Sequence, residues 1–203
     1  MEQLSPGAPA RRVSVYNIAN LLTVIRILLV PVFITAMLQD GGTSIGWRWI
    51  AAGVFAIAVA TDKLDGDLAR KHGLVTDFGK MADPIADKAL MGAALIGLSI
   101  LDLLPWWVSI VILARELGIT VLRFLVIRFG VIPASRGGKA KTFAQSLAIW
   151  LYILPIDGVV GTVRWWLMGV AILLTVVTAL DYVQRAIRLV KGAPAARAGT
   201  AHE

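Results

Sequence analysis

The chain contains no cysteine, which excludes a disulfide framework, a thiolate metal centre and a cysteine nucleophile. Histidine is nearly absent as well. His72 and His202 stand in polar stretches, neither at a metal-ligand spacing, so each reads as a solvated side chain. Charge is scarce: Asp, Glu, Lys and Arg make up 16% of the 203 residues, against roughly 25% in ordinary soluble domains. A soluble fold of this length still needs a polar skin, so the deficit argues against both a disordered chain and a water-soluble enzyme. No phosphate loop of the G-x-x-x-x-G-K-[ST] type occurs, and Gly137-Gly138 reads as a turn. No internal repeat and no long linker are visible, which points to one domain. No signal peptide is expected, because the first eleven residues lack an apolar core followed by a small-residue cleavage site.

What the chain has in abundance is apolar surface and positive charge. Hydrophobic residues are 58% of the total and the formal net charge is +7, with a mean hydropathy of +0.76 and a pI of about 10.1. Basic charge on so apolar a chain favours a lipid surface over nucleic acid. The expectation is an all-α integral membrane protein. A crossing takes about 20 mostly apolar residues, and six segments qualify: Leu21–Leu38, Trp47–Leu64, Met81–Leu101, Trp106–Ile127, Phe143–Val160 and Trp165–Val183. Residues 1–16 and 192–203 are expected to be disordered or interfacial ends around a six-helix membrane domain spanning 17–191.

Basic residues set the orientation. Arg11 and Arg12 precede the first segment, Lys63, Arg70, Lys71 and Lys80 flank the second connection, and Arg128, Arg136, Lys139 and Lys141 fill the fourth. Arg185, Arg188, Lys191 and Arg197 follow the last segment, while the alternate connections hold only Arg48 and Arg164. Lysine and arginine are retained on the cytosolic side, so both termini are expected there. Trp47, Trp49, Trp106, Trp107, Trp165 and Trp166 all fall at the opposite interface, where amphipathic rings prefer to lie.

Carboxylates close to a membrane core are costly and mark function by default. The sequence reads Asp62-Lys-Leu-Asp65-Gly66-Asp67-Leu-Ala69-Arg70, then Gly79-Lys-Met-Ala-Asp83-Pro-Ile-Ala-Asp87. On helices, Asp62 and Asp65 share one face, as do Asp83 and Asp87, and an antiparallel pairing of the two helices brings both pairs together. Four carboxylates at close quarters repel unless a divalent cation or two neutralises them. Oxygen ligands without cysteine point to Mg²⁺ or Mn²⁺. Gly66 permits close ligand approach, and Arg70 offers a planar fork for phosphate oxygens.

The pattern D-x-x-D-G-x-x-A-R, eight residues, then G-x-x-x-D-x-x-x-D resembles the signature of the CDP-alcohol phosphatidyltransferases at every position. The resemblance implies a dimeric six-helix membrane enzyme with a cytosolic active site. Such an enzyme transfers a phosphatidyl group from CDP-diacylglycerol to an alcohol and releases CMP. It further implies that Asp62, Asp65, Asp83 and Asp87 hold two divalent ions, with Asp87 also the proton acceptor, and that Gly66, Ala69, Arg70, Thr76 and Gly79 lie on the donor side. Asn20, Thr23 and Arg26 recur at i, i+3, i+6 on one side of the first helix. They suit either contact with the nucleotide or helix-to-helix bonding.

The acceptor is written elsewhere, in Arg115-Glu116-Leu117, Arg123, Gly130, Ser135-Arg136-Gly-Gly138-Lys139-Ala-Lys141-Thr142 and Gln145. This run resembles the bacterial branch of the family whose acceptor is sn-glycerol 3-phosphate. It implies phosphate binding by Arg115, Arg123, Lys139 and Lys141, with Ser135 and Arg136 beside them. Charges inside an apolar span need pairing or a polar ligand, so a structural Glu116–Arg123 or Glu116–Arg115 ion pair is the competing reading, as is simple cytosolic retention for the basic loop. Asp181 is expected to pair with Arg185 at i,i+4, while Asp40, Asp102 and Asp157 read as solvated outer-turn acids. Two alternatives stand beside this function: another acceptor, such as inositol phosphate or phosphatidylglycerol, and a divalent-cation transporter using the four aspartates as a relay.

Overall fold

The computed structural model describes residues 17–72, 76–129 and 136–199. Among these, six α-helices and no strands are found: α1 (Ile18–Leu38), α2 (Ile45–His72), α3 (Asp77–Ile100), α4 (Trp106–Val126), α5 (Arg136–Ile153) and α6 (Val159–Gly199), with short 3₁₀ turns at Gln39–Gly42 and Ile127–Phe129. α1 and α3 begin where the sequence supplies a side-chain cap. The Asn17 side chain accepts a hydrogen bond from the Asn20 amide at 2.9 Å, and the Thr76 hydroxyl accepts one from the Gly79 amide at 3.0 Å, each satisfying a donor that the first helical turn leaves open.

The helices run past several of the expected span limits, α2 to His72 and α5 from Arg136, and the boundary between the last two is displaced. The fifth was expected to run to Val160, yet α5 stops at Ile153 and α6 starts at Val159 rather than near Trp165. Pro155 is the reason: a proline disfavours helical geometry in the residue before it, and Gly158 then turns the chain at φ +70°. The last helix also continues beyond Lys191 to Gly199, into the segment expected to be a disordered tail; its alanines favour helix strongly.

α1 lies against α2 and α3, α4 against α6 and α3, and α5 against α6 and α2. The shared core contains Phe33 and Met37 from α1, Phe55 from α2, Leu90, Leu95 and Leu98 from α3, Ile112 from α4 and Ile149 and Ile153 from α5. The rings of Phe33 and Phe55 meet at 5.7 Å in a tilted pair. Polar groups tie helices together within this core: Ser99 and Ser109 share a 2.7 Å hydrogen bond between α3 and α4. Arg48 on α2 donates to the carbonyls of Tyr152 and Ile153 at 2.8 and 3.1 Å, capping the last turn of α5.

The outside is apolar instead of polar. Leu28, Ile57, Phe124, Leu173 and Leu180 are all well exposed, as are Trp47, Trp49, Trp106, Trp107, Trp165 and Trp166. Three helical stretches among the described residues are long and apolar enough to cross a membrane: Asn20–Gly42, Ile45–Leu64 and Val159–Lys191. α3, α4 and α5 carry the acids and bases described next, which dilute their apolar character.

Candidate active site

One wall of the site is acidic, and α1 braces it. Asp62 projects from α2, and Asp83 and Asp87 project from successive turns of α3. The guanidinium of Arg26, fully buried, donates to Asp62 Oδ1 at 2.6 Å. One turn away, the buried Thr23 hydroxyl donates to Asp83 Oδ1 at 2.5 Å. Another turn on, the Thr76 hydroxyl donates to Asn20 Oδ1 at 2.8 Å. The polar stripe of α1 therefore makes helix-to-helix bonds at all three positions, and two of them hold the acids in place. Gly79 closes this layer: a Cβ there would stand 2.9 Å from Asn20 Oδ1, so a larger residue would displace the side chain that Thr76 bonds. Asp65, Ala69 and Arg70 lie on the α2 backbone, but their side chains fall outside the described residues.

The opposite wall is made of paired charges from α4, α5 and α6. Glu116 accepts a hydrogen bond from Arg115 Nη1 at 3.1 Å and forms an ion pair with the buried Lys141. The other terminal nitrogen of Arg115 donates to the Thr178 hydroxyl on α6 at 2.8 Å. Arg123 takes no part in this pairing; it lies over the ring of Tyr182, 5.9 Å from its centre, at a distance where a cation is attracted to the ring face. Of the two ion pairs open in the sequence, Glu116–Arg115 is the one formed, with Lys141 added. Burial pushes the Lys141 ammonium below its ordinary value, and the Glu116 carboxylate opposes that shift. Lys88 bonds the Thr120 hydroxyl nearby. Lys139 is exposed at the start of α5; Ser135 and the Arg136 side chain lie outside the described residues.

Both walls face one cavity of about 1110 Å³. Its lining includes Arg26, Asp62, Gly66, Asp83 and Asp87 on the acidic side and Arg115, Glu116, Arg123, Lys139 and Lys141 on the basic side, with Thr178 and Tyr182 contributed by α6. Asn20, Thr23, Thr76 and Gly79 form the layer behind it. Sequence reasoning did not single out Thr178 or Tyr182. The signal that finds them is the spacing of Thr175, Thr178 and Tyr182, which puts all three on one face of α6. Elsewhere Asp181 pairs with Arg185 at 3.0 Å as expected, and Asp157 meets Arg164 at 3.4 Å.

Residues 16–177 match the family model of the CDP-alcohol phosphatidyltransferases. The chain belongs to that family. Curated relatives of this CDP-alcohol phosphatidyltransferase carry the names of two activities. A protein of Mycobacterium tuberculosis named probable phosphatidylglycerophosphate synthase is 53% identical over 190 residues, covering 94% of this chain and 91% of its own. The CDP-diacylglycerol–glycerol-3-phosphate 3-phosphatidyltransferase of Bacillus subtilis is 41% identical over 180 residues, 82% of this chain and 93% of its own. The CMP-forming cardiolipin synthase of Streptomyces coelicolor is 34% identical over 166 residues, 75% of each chain. Membership in a family of CDP-alcohol phosphatidyltransferases removes the transporter alternative.

Proposed function

We propose that this enzyme transfers the phosphatidyl group of CDP-diacylglycerol to sn-glycerol 3-phosphate, giving phosphatidylglycerophosphate and CMP. The observation that carries this reading is the single cavity with an acidic wall at Asp62, Asp83 and Asp87 and a basic wall at Arg115, Arg123, Lys139 and Lys141. A donor pyrophosphate and a phosphorylated acceptor are both anions, and they need separate neutralisation within reach of each other. Relatives named for this reaction, at 53% and 41% identity over most of the chain, support the same acceptor.

In the reaction, the acceptor hydroxyl oxygen forms a bond to the phosphorus of the phosphatidyl group. The bond from that phosphorus to the bridging oxygen breaks, and CMP leaves with the electron pair. Asp87 takes the hydroxyl proton, Arg26 and Thr23 hold Asp62 and Asp83 in register, and the basic wall grips the acceptor phosphate. The oxygen-only donor set fits a hard divalent cation. Among the described residues no three acids or histidines stand together as a ready-made metal site, and in this reading Asp65 joins Asp62, Asp83 and Asp87 to hold two Mg²⁺ or Mn²⁺ ions. Such ions neutralise the pyrophosphate and stabilise the departing CMP. In this reading Asn20, Thr23, Gly66, Ala69, Arg70, Thr76 and Gly79 serve the donor side, and Ser135 and Arg136 join the acceptor side. All six helices cross the bacterial plasma membrane as a homodimer, with both termini and the mouth of the cavity cytosolic.

The test is an assay of purified protein in detergent with CDP-diacylglycerol, Mg²⁺ and glycerol 3-phosphate, inositol phosphate or phosphatidylglycerol, followed by lipid analysis. Phosphatidylglycerophosphate and CMP are expected, and excess EDTA is expected to abolish both. Cardiolipin formed from phosphatidylglycerol would instead favour the activity for which the Streptomyces relative is named. Full turnover in EDTA would overturn the divalent-ion assignment.

A further inference from the structure

The family model ends at residue 177, yet α6 continues and gives two more side chains to the cavity, Thr178 and Tyr182. They belong to one inward helical face: Ala171, Thr175 and Ala186, at the matching positions around the helix, are all buried. The Thr178 hydroxyl accepts from Arg115 at 2.8 Å and donates to the Leu174 carbonyl at 2.7 Å. It therefore anchors the guanidinium from outside the Arg115–Glu116–Lys141 group. Tyr182 presents its ring to Arg123 at 5.9 Å. Three polar atoms remain unsatisfied here: the Thr175 hydroxyl, the Tyr182 hydroxyl and Arg115 Nε are buried without a hydrogen-bond partner among the described residues, and the last two belong to residues that line this wall of the cavity. Buried polar groups are nearly always paired. Two orphans on residues lining one cavity mark a place where an anionic ligand supplies the missing acceptors.

We propose that α6 completes the acceptor subsite, with Tyr182 donating its hydroxyl hydrogen to a phosphate oxygen of the acceptor and Thr178 acting as a positioning residue for Arg115. A phenol donates readily to phosphate oxygen, and the cation over its ring keeps that ring in place. This inference rests on the glycerol 3-phosphate reading given above.

The experiment uses the full chain in detergent with Mg²⁺ and CDP-diacylglycerol, comparing wild type, Tyr182→Phe, Thr178→Val and Thr178→Ser. Tyr182→Phe is expected to raise the acceptor KM by about three- to tenfold, the scale of one lost hydrogen bond, while the donor KM and kcat at saturating acceptor stay unchanged. Inorganic phosphate, competing with the acceptor, is expected to weaken as an inhibitor by the same factor. Thr178→Val should raise the acceptor KM, and Thr178→Ser, which keeps the hydroxyl, should restore it. An unchanged acceptor KM in Tyr182→Phe, or an equal rise in donor KM, overturns the proposal. So does phosphate inhibition that stays at the wild-type level. If Tyr182→Phe fails to fold, the Thr178 pair decides: valine and serine behaving alike sinks the α6 subsite. A wild-type enzyme that makes no phosphatidylglycerophosphate sinks the underlying functional reading instead.

Discussion

The two walls of the cavity handle charge in opposite ways. On the acidic wall the counter-charge is buried and the acid is open: Arg26 is 0% exposed, whereas the Asp62 side chain is 43% exposed. On the basic wall the cation is hidden: Lys141 is 5% exposed and its partner Glu116 is 25% exposed. An open carboxylate with its back braced remains free to take a ligand on its outer face. A buried ammonium held by one carboxylate depends on that carboxylate completely. The acidic wall is thus built to receive charge, and the basic wall carries its own neutralisation until an anion arrives.

This contrast can be broken by mutation. The largest expected effect is at the proposed proton acceptor: Asp87→Asn should lower turnover by about 10²–10⁴, the range for losing a general base, while donor binding persists. Steady-state rates with separate measurement of CDP-diacylglycerol binding check it. Next comes Glu116→Gln, which strands Lys141 in the interior. Removing one partner of a buried ion pair costs about 3–5 kcal/mol, and a clear fall in the thermal midpoint in detergent is expected. Arg26→Met is the matched change on the other wall. Asp62 can recover water there, so the loss should be smaller, about 1–2 kcal/mol, with a raised Mg²⁺ requirement as its distinguishing mark. If Arg26→Met proved as destabilising as Glu116→Gln, the difference between the walls would not hold. The smallest effect is expected at the surface: Asp181 and Arg185 are 43% and 46% exposed, and such pairs contribute only about 0–1 kcal/mol. Asp181→Asn should therefore leave melting and kinetics near wild type.

The acidic wall was legible in the sequence because its chemistry is local. Asp62, Asp83 and Asp87 occupy fixed positions on two helices, and the helical period alone tells which share a face. The stripe Asn20, Thr23, Arg26 was also legible as one side of a helix, but its partners were not. That Thr23 meets Asp83 across 60 positions and Arg26 meets Asp62 across 36 depends on how α1 packs, which no spacing encodes. The basic wall was readable as residue types and not as pairs, since Glu116 had two cations in reach along α4 and a third, Lys141, came from α5. Thr178 escaped notice because a hydroxyl bonded back to its own helix backbone is commonplace, and Tyr182 because it stands beside the Asp181–Arg185 pair on the outer side of the same turn. The α5–α6 boundary was misplaced because hydropathy runs on through Pro155 while backbone geometry does not.

One consequence of the long second helix concerns how this site tolerates change in length. α2 continues without interruption from Ile45 to His72, so Asp62 and Gly66 ride on the same rod that crosses the core at Phe55. A helix turns about 100° and advances about 1.5 Å per residue. Inserting or deleting one residue between Phe55 and Asp62 would swing the carboxylate a quarter-turn or more away from Arg26 with the core contacts intact. The α2 side of the acidic wall is indexed to the hydrophobic core like teeth on a shaft. Point substitutions along α2 are absorbed one at a time, whereas a single-residue frame slip within that helix parts Asp62 from Arg26 while Asp83 on α3 stays held by Thr23.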